Sequence, residues 1–216
     1  MAWLQDQLDQ ISEKTRQLVQ PERLQPSERA VSELFASGIE QQILPVGSLA
    51  PEFILPDANG RKVRSSDLLA LGPLIVNFFR GRWCPYCMTE LNAWRDLYPQ
   101  VRMKGALLVA ISPQTQHQNN LLLQQYDAQQ TLPFPVLSDP GSAVAESFHL
   151  AYTVPLYHQK HYRRILVNVP FMNGDATWRL PLPATYVIRP DGAIAFAQAH
   201  ADFRVRPEPE DVLAAL

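Results

Sequence analysis

Apolar residues recur at helical spacing through residues 1–44, with Gln, Asp, Glu and Lys between them, which is typical of amphipathic helices. The first group comprises Leu4, Leu8, Ile11, Leu18 and Val19. Pro21 and Pro26 interrupt this pattern, and Ser27 is a signal for a second helix start. That second helix would be lined by Val31, Leu34, Phe35, Ile39 and Ile43. We therefore predict an N-terminal helical extension over residues 1–44, without catalytic groups, which forms either a lid on the rest of the chain or a dimer contact.

From residue 45 onward, short apolar runs alternate with helical segments. Residues 74–79 and 106–111 are nearly all apolar, as expected for central strands covered on both faces. Weaker strand signals cover 53–55, 134–137, 184–188 and 193–196, and the last two flank a hairpin signal at 190–192. Helical signals cover 66–68, the run from the cysteines to 98, 115–129, 142–148, 156–169 and 210–216. This order predicts an α/β domain over residues 45–216, with a central mixed sheet flanked by helices.

Composition excludes several classes of function. The formal net charge is only −2, with acidic and basic residues interspersed, so nothing indicates a nucleic-acid partner. No stretch approaches the roughly 20 apolar residues of a membrane helix. The N-terminal residues lack the basic and then apolar layout of a signal peptide, and we therefore expect a cytoplasmic protein without a membrane partner.

The two cysteines of the chain, Cys84 and Cys87, lie between a predicted central strand and a predicted helix. Unpaired N–H groups and the helix dipole at a helix start favour thiolate over thiol. A spacing of three places the second sulfur about one turn away, within bonding reach, so one sulfur can attack and the other can resolve the intermediate. Pro85 suits the first helical turn. Arg80 and Arg82 are close enough in sequence to lower the thiol pKa further.

Two alternatives to redox chemistry remain open for this pair. Two cysteines alone cannot complete a four-ligand zinc site, although zinc or an iron–sulfur cluster shared across a dimer would be possible. The histidines show no matching spacing, and the helical pair His158 and His161 is interpreted as surface polarity. The cysteines could also be inert and buried. Redox chemistry without any cofactor is the favoured interpretation.

Residues 78–87 read Phe78-Phe79-Arg80-Gly81-Arg82-Trp83-Cys84-Pro85-Tyr86-Cys87. This segment resembles the active-site segment of those peroxiredoxin-like proteins that carry a thioredoxin-style Cys-x-x-Cys and belong to the alkyl hydroperoxide reductase/thiol-specific antioxidant (AhpC/TSA) family. The likeness continues through residues 134–139, 182–188, 190–192 and 202–206. It covers roughly residues 46–216. The resemblance implies a thioredoxin-like, peroxiredoxin-type fold and thiol-dependent redox chemistry.

The resemblance also implies roles for single residues. Cys87 matches the peroxidatic cysteine, and Cys84 falls where true peroxiredoxins have Thr or Ser. Pro183 stands where that family has a peroxide-binding arginine, and it resembles the cis-proline that faces the dithiol in thioredoxins. Arg179, Arg80 and Arg82 are candidates for the missing charge.

Trp83 and one charged group near the end of the chain have two interpretations each. Trp83 either shields the thiol and forms a recognition surface or only packs, while Trp94 is expected in the core. A solvated loop is the favoured interpretation of the charged group Asp202, Arg204 and Arg206, with a charged lip near the site as the alternative.

Three hypotheses on function follow. In the first, Cys87 reduces a peroxide, Cys84 resolves it to a disulfide, and a thioredoxin- or glutathione-type reductant restores the dithiol. In the second, the protein is a thioredoxin-like dithiol–disulfide oxidoreductase in which Cys84, expected to be the more exposed thiol, attacks a substrate disulfide. The third is a redox sensor or binding module. A homodimer is compatible with each of them.

Overall fold

The structure is a computed structural model that describes residues 4–126 and 131–216. Five strands form its central sheet: β3 (Leu74–Phe78), β4 (Leu107–Ser112), β5 (Val136–Ser138), β8 (Ala184–Ile188) and β9 (Ile194–Ala199). Their order in the sheet is β5-β4-β3-β8-β9. Strands β3, β4 and β5 are parallel to one another, whereas β8 pairs antiparallel with both β3 and β9. The predicted mixed sheet is therefore confirmed.

Two antiparallel pairs of three-residue strands lie outside this sheet. The first pairs β1 (Ile54–Pro56) with β2 (Lys62–Arg64), across a turn in which Asp57 accepts backbone hydrogen bonds. The second pairs β6 (Ala151–Thr153) with β7 (Arg179–Pro181). The sequence pattern did not predict this second pair, because such short strands leave little periodicity to detect.

Helices cover both faces of the sheet. They are α1 (Leu4–Leu18), α2 (Pro21–Ala36), α3 (Ser65–Leu69), α4 (Pro85–Met103), α5 (Gln116–Leu123), α6 (Ala143–Ser147), α7 (Leu156–Arg164), α8 (Val169–Asn173) and α9 (Pro209–Ala214). Residues of β3 alternate between two apolar clusters: Ile75 joins the cluster beneath α1, α4 and α9, while Leu74 and Val76 join the cluster on the opposite face. The central strand is thus buried on both faces, as expected.

Three predicted helices differ from those observed. Helix α2 begins at Pro21 and not at Ser27, because proline is well suited to the first helical position, and Pro26 lies within the helix. The helix predicted over 156–169 is divided: Leu166 adopts a left-handed φ of 63°, which ends a helix, and Asn168 then caps α8. Helix α5 ends at Leu123, and residues 127–129 of the predicted helix lie outside the described residues.

The N-terminal helices pack on the sheet domain. Leu4 and Leu8 are buried in the cluster that contains both cysteines. Glu208 accepts hydrogen bonds from the backbone N–H groups of Leu4 and Gln5, each at 2.9 Å, and so caps α1. These contacts support the interpretation of the extension as a lid, while the homodimer remains a prediction. Within residues 4–126 and 131–216, no helix combines the length and apolar character needed to cross a bilayer.

Candidate active site

The two cysteines lie where the chain passes from β3 into α4. Cys84 is the N-cap residue of α4, with Pro85 at its first helical position, as predicted. The Cys84 Sγ accepts a hydrogen bond from the backbone N–H of Cys87 at 3.3 Å. Gly81 makes the preceding loop tight: its φ is 145°, and a Cβ atom there would lie 2.6 Å from Nε1 of Trp83. The loop therefore places the Cys84 sulfur beside the unpaired backbone N–H groups at the start of α4.

The sulfur of Cys84 accepts hydrogen bonds from three donors. Besides the Cys87 N–H, these are the Cys87 thiol, with 2.7 Å between the sulfurs, and the Arg80 guanidinium, with 3.1 Å between Nη2 and Sγ. Both cysteines are free thiols and fully buried. The expectation that Cys84 is the more exposed thiol is therefore wrong. Side chains of the domain and the N-terminal helix α1 close over this end of α4.

This arrangement separates the pKa values of the two thiols. Burial opposes ionisation of Cys84, but the hydrogen bond from Cys87 and the charge of Arg80 outweigh burial and lower the Cys84 pKa to about 5. Burial raises the pKa of Cys87, and the hydrogen bond and negative charge of Cys84 raise it further. These opposite shifts favour the negative charge on Cys84 and the proton on Cys87. The resemblance had implied Cys87 as the attacking thiol, which is the opposite assignment.

Arg80 is buried beside the Cys84 sulfur. The residue is only 3% exposed, and its Nη1 donates a hydrogen bond to the Tyr162 hydroxyl at 3.1 Å. Its guanidinium carbon lies 3.7 Å from the centre of the Phe203 ring and 5.1 Å from that of Trp83. A buried arginine requires a compensating anion, and among the described residues the Cys84 thiolate contacts its guanidinium.

A second buried arginine, Arg206, lies beside the Cys87 sulfur. Nη2 of Arg206 lies 3.6 Å from the Cys87 sulfur, and its Nε donates to Glu90 at 2.8 Å. Asn77 on β3 donates to the other Glu90 oxygen at 2.8 Å and to the Thr185 hydroxyl at 3.2 Å. Burial raises the pKa of Glu90, while Arg206 acts in the opposite direction. A polar network thus runs from β8 and β3 through α4 to the second sulfur.

The other arginines named from the sequence lie away from the sulfurs. Arg82 donates a side-chain hydrogen bond to Gln118 at 3.0 Å, and Arg179 pairs with Glu146 at 2.7 Å. Arg80 therefore supplies the predicted charge. Trp83 is half-buried and makes an edge contact with Tyr162 at 5.3 Å between ring centres, so it packs beside the site.

Pro183 lies near the site, but its predicted cis bond is wrong. It directly precedes Ala184, which pairs with Phe78 at the end of β3 from which the cysteine loop departs. The described residues contain no cis peptide bond, so Leu182–Pro183 is trans. Trans is the intrinsically favoured form of an X–Pro bond, and a cis form requires tertiary contacts that reward it.

The sequence pattern missed several residues of the site and misplaced others. Arg206 is 4% exposed, so the favoured solvated loop is wrong for this residue, and His158 is buried rather than on the surface. Glu90 had a usable signal, because it follows Cys87 by three positions on a helix and shares its face. Asn77 is likewise a polar residue within an apolar strand. Trp94 lies in the core, as expected.

The described side chains around the dithiol are not arranged as a metal site. In the part of the chain that the structure describes, no group of three or more His, Cys, Asp or Glu side chains is arranged to hold a metal ion. Instead, the two sulfurs hydrogen-bond to each other, and their nearest charged neighbours are arginines. Donors of this kind stabilise a thiolate rather than a cation.

Comparison with known proteins gives a consistent family assignment. The sequence profile of the AhpC/TSA family matches residues 46–197. The thiol-disulfide oxidoreductase ResA of Bacillus cereus is 30% identical over 110 residues, which cover 50% of this chain and 60% of that protein. ResA of Bacillus subtilis is 24% identical over 148 residues, or 68% of this chain and 64% of that protein. The chain thus spans about 60% of the length of these curated relatives.

Solved structures of peroxiredoxins share the fold. Peroxidoxin BcpB from Mycobacterium tuberculosis superposes with a TM-score of 0.61 at 22% identity, covering 80% of this chain and 96% of that one. AhpC from the same organism superposes with a TM-score of 0.60 at 18% identity, covering 80% and 91%. The predicted thioredoxin-like, peroxiredoxin-type fold is confirmed.

Proposed function

Because the chain belongs to the AhpC/TSA family, we propose that it is a thiol–disulfide oxidoreductase in which Cys84 is the attacking thiolate and Cys87 the resolving thiol. One observation carries this assignment: the Cys84 sulfur accepts hydrogen bonds from Arg80, from the Cys87 thiol and from the Cys87 backbone. Donors of this kind favour the thiolate, which is the nucleophile in disulfide exchange. The names of the ResA relatives support the same chemistry.

The reaction proceeds in two exchanges. The Cys84 thiolate attacks one sulfur of a substrate disulfide RSSR, forming a Cys84–SR mixed disulfide and releasing RS⁻. RS⁻ takes up the proton of Cys87 and leaves as RSH. The Cys87 thiolate then attacks the Cys84 sulfur, forming the Cys84–Cys87 disulfide and releasing a second RS⁻, which solvent protonates. Two electrons pass from the protein dithiol to the substrate disulfide.

The charges around Cys87 suit this order of events. The negative charge of Cys84 raises the Cys87 pKa in the resting dithiol. The mixed disulfide carries no charge on Cys84, so that contribution disappears, while Arg206, which lies 3.6 Å from the Cys87 sulfur in the free dithiol, keeps its charge. The first exchange therefore makes Cys87 more acidic at the step that needs its thiolate.

Substrate access requires movement of a covering side chain, because both sulfurs are fully buried. Phe203 is only half-buried, and its ring lies against Arg80 and makes an edge contact with Tyr86 at 5.4 Å. Displacement of the Phe203 ring exposes the Arg80 side chain on the side that faces residues 201–208. We assign Phe203 the role of a gate.

The cycle closes when a thioredoxin- or glutathione-type thiol reductant reduces the Cys84–Cys87 disulfide. Such reductants maintain free thiols in the cytoplasm, which is the location that we propose. The chemistry needs no cofactor, since both electrons come from the dithiol.

Peroxide reduction is the second candidate, and it is supported by the family and by Arg206 beside Cys87. A thiolate would attack the peroxide, release ROH and become a sulfenic acid, which condenses with the other thiol to a disulfide and water. This candidate ranks second because Cys84 and Pro183 stand where peroxiredoxins have a hydroxyl residue and an arginine, two donors that stabilise the developing charge.

Parallel kinetics on the reduced protein separate the candidates. We expect rapid reduction of a small uncharged disulfide, and oxidation by hydrogen peroxide with a rate constant near that of free cysteine. Cys87→Ser should accumulate a mixed disulfide on Cys84, detectable by peptide mass spectrometry, and Cys84→Ser should be inactive. Fast peroxide consumption that survives in Cys84→Ser and disappears in Cys87→Ser would establish the second candidate instead.

A further inference from the structure

A cavity of about 190 Å³ lies between the N-terminal helix α2 and the redox domain. Ala30, Val31 and Leu34 line it from α2, and Tyr152 and Phe203 line it from the domain. Its walls thus come from α2 and from the redox domain, and both α2 and Phe203 lie outside residues 46–197, which match the family.

The inner wall of this cavity adjoins the side chain that holds the thiolate. The Phe203 ring lies 3.7 Å from the Arg80 guanidinium carbon, and the charge of Arg80 acts directly on the buried Tyr152 phenol. Arg80 in turn donates its hydrogen bond to the Cys84 sulfur. The Phe203 and Tyr152 side chains therefore link the wall of the cavity to Arg80, which contacts the nucleophile.

The lining selects against anions. Among the described residues that form it, none is Lys or Arg, and Glu33 contributes a carboxylate whose oxygens are bound by Arg29 at 2.7 Å and Tyr157 at 2.6 Å. Apolar side chains form most of the remaining surface. Apolar cavities of about 150 Å³ bind a benzene ring, so this one accommodates a single uncharged aryl group.

His158 lines the same cavity without adding a charge to it. The residue is 4% exposed, and its Nε2 lies 3.4 Å from the Ser27 hydroxyl. Burial and the neighbouring His161 keep His158 neutral at pH 7 by lowering its pKa to about 4. The His158 side chain therefore offers no positive charge to an anionic ligand in the cavity.

We propose that this cavity binds the organic group of the substrate, and that the substrate is an uncharged aryl disulfide. The proposal rests on the proposed function. One ring occupies the cavity between Val31 and Phe203, and displacement of Phe203 brings the attached sulfur toward Cys84. The exchange itself is the one described above, with two arylthiols as products.

Two chromogenic disulfides of opposite charge test the selectivity. Dipyridyl disulfide is neutral, whereas dithiobis(nitrobenzoate) is a dianion, and each rate constant is divided by that of the same reagent with dithiothreitol. Ala30→Leu fills the cavity, and Ala36→Leu is the matched control on the exposed end of the same helix. We expect the neutral-to-dianion ratio to fall about tenfold in Ala30→Leu and to stay unchanged in Ala36→Leu. An unchanged ratio in Ala30→Leu, or an equal fall in both variants, would overturn the proposal.

Calorimetry with dipyridyl sulfide, an unreactive thioether analogue, measures binding in the cavity independently of the redox reaction. Binding to the wild type and to Ala36→Leu, but not to Ala30→Leu, supports the cavity. Failure of the wild type to bind the analogue overturns it, even when both disulfides are reduced. Binding without reduction of either disulfide would instead reject the proposed function and leave a ligand site.

Discussion

At the scale of single residues, the site consists of two cysteines with one buried arginine for each. Arg80 contacts the Cys84 sulfur at 3.1 Å, and Arg206 lies 3.6 Å from the Cys87 sulfur. Arg206 also has a carboxylate partner in Glu90, whereas Arg80 has hydroxyl and aromatic neighbours besides the sulfur. The charge of Arg80 is therefore available to the thiolate, and that of Arg206 is shared.

Replacement of Arg80 by methionine should raise the pKa of Cys84 by about one to three units, because the nearest positive charge is lost while burial remains. The thiolate absorbance of the reduced protein, measured as a function of pH, reports this directly and needs no access to the sulfur. Arg80→Lys retains the charge and should show a smaller increase. An unchanged titration in Arg80→Met would show that the helix start and Cys87 alone sustain the thiolate.

At the scale of elements, the sequence was informative where one feature determines a structure. The apolar run of β3 and the Cys-Pro-x-Cys segment predicted a buried central strand followed by a helix with Pro85 at its start, and both are observed. The burial of Arg206 was not predictable, because it depends on Glu90, 116 positions away in the chain. An arginine in a loop is otherwise expected in solvent.

The attachment of α1 illustrates a contact that sequence patterns do not contain. Glu208, at the N-cap of α9, accepts the backbone N–H groups of Leu4 and Gln5. Glu208→Gln should destabilise the protein by about 1 kcal/mol, since a charged cap at a helix N-terminus is replaced by a neutral one. Urea unfolding measures the loss, and hydrogen exchange should show faster opening of α1.

Glu210→Gln is the matched control for that variant. Glu210 is exposed in the first turn of α9 and makes no contact with α1 among the described hydrogen bonds. Equal destabilisation by both substitutions would mean that Glu208 acts on α9 and not on the attachment of α1.

At the scale of the whole molecule, ionisation of Cys84 makes the free energy of unfolding of the reduced protein depend on pH. The folded pKa of Cys84 is about 5, below its ordinary value of 9.0, so the folded protein binds fewer protons than the unfolded chain between these values. The free energy of unfolding of the reduced protein should therefore rise from pH 5 toward pH 9, and the stabilisation is lost as the pH falls through 5. The raised pKa of Cys87 acts with the opposite sign at still higher pH.

Urea unfolding at several pH values, with reductant present, tests this coupling. Cys84→Ser should lose the increase with pH, because serine does not ionise in this range. The oxidised protein has no thiolate and should also lack it. An equal slope in the reduced wild type and in Cys84→Ser would assign the pH dependence to other groups.

The central claim is that Cys84 carries the negative charge of the reduced dithiol and Cys87 the proton. Titration by NMR of the reduced protein, isotope-labelled at cysteine Cβ and assigned with the two Cys→Ser variants, observes both groups without a reagent that must reach them. We expect the Cβ signal of Cys84 to titrate near pH 5 and that of Cys87 to remain in its thiol position at neutral pH. A Cys87 that ionises first, or a Cys84 still protonated at pH 7, would contradict the account.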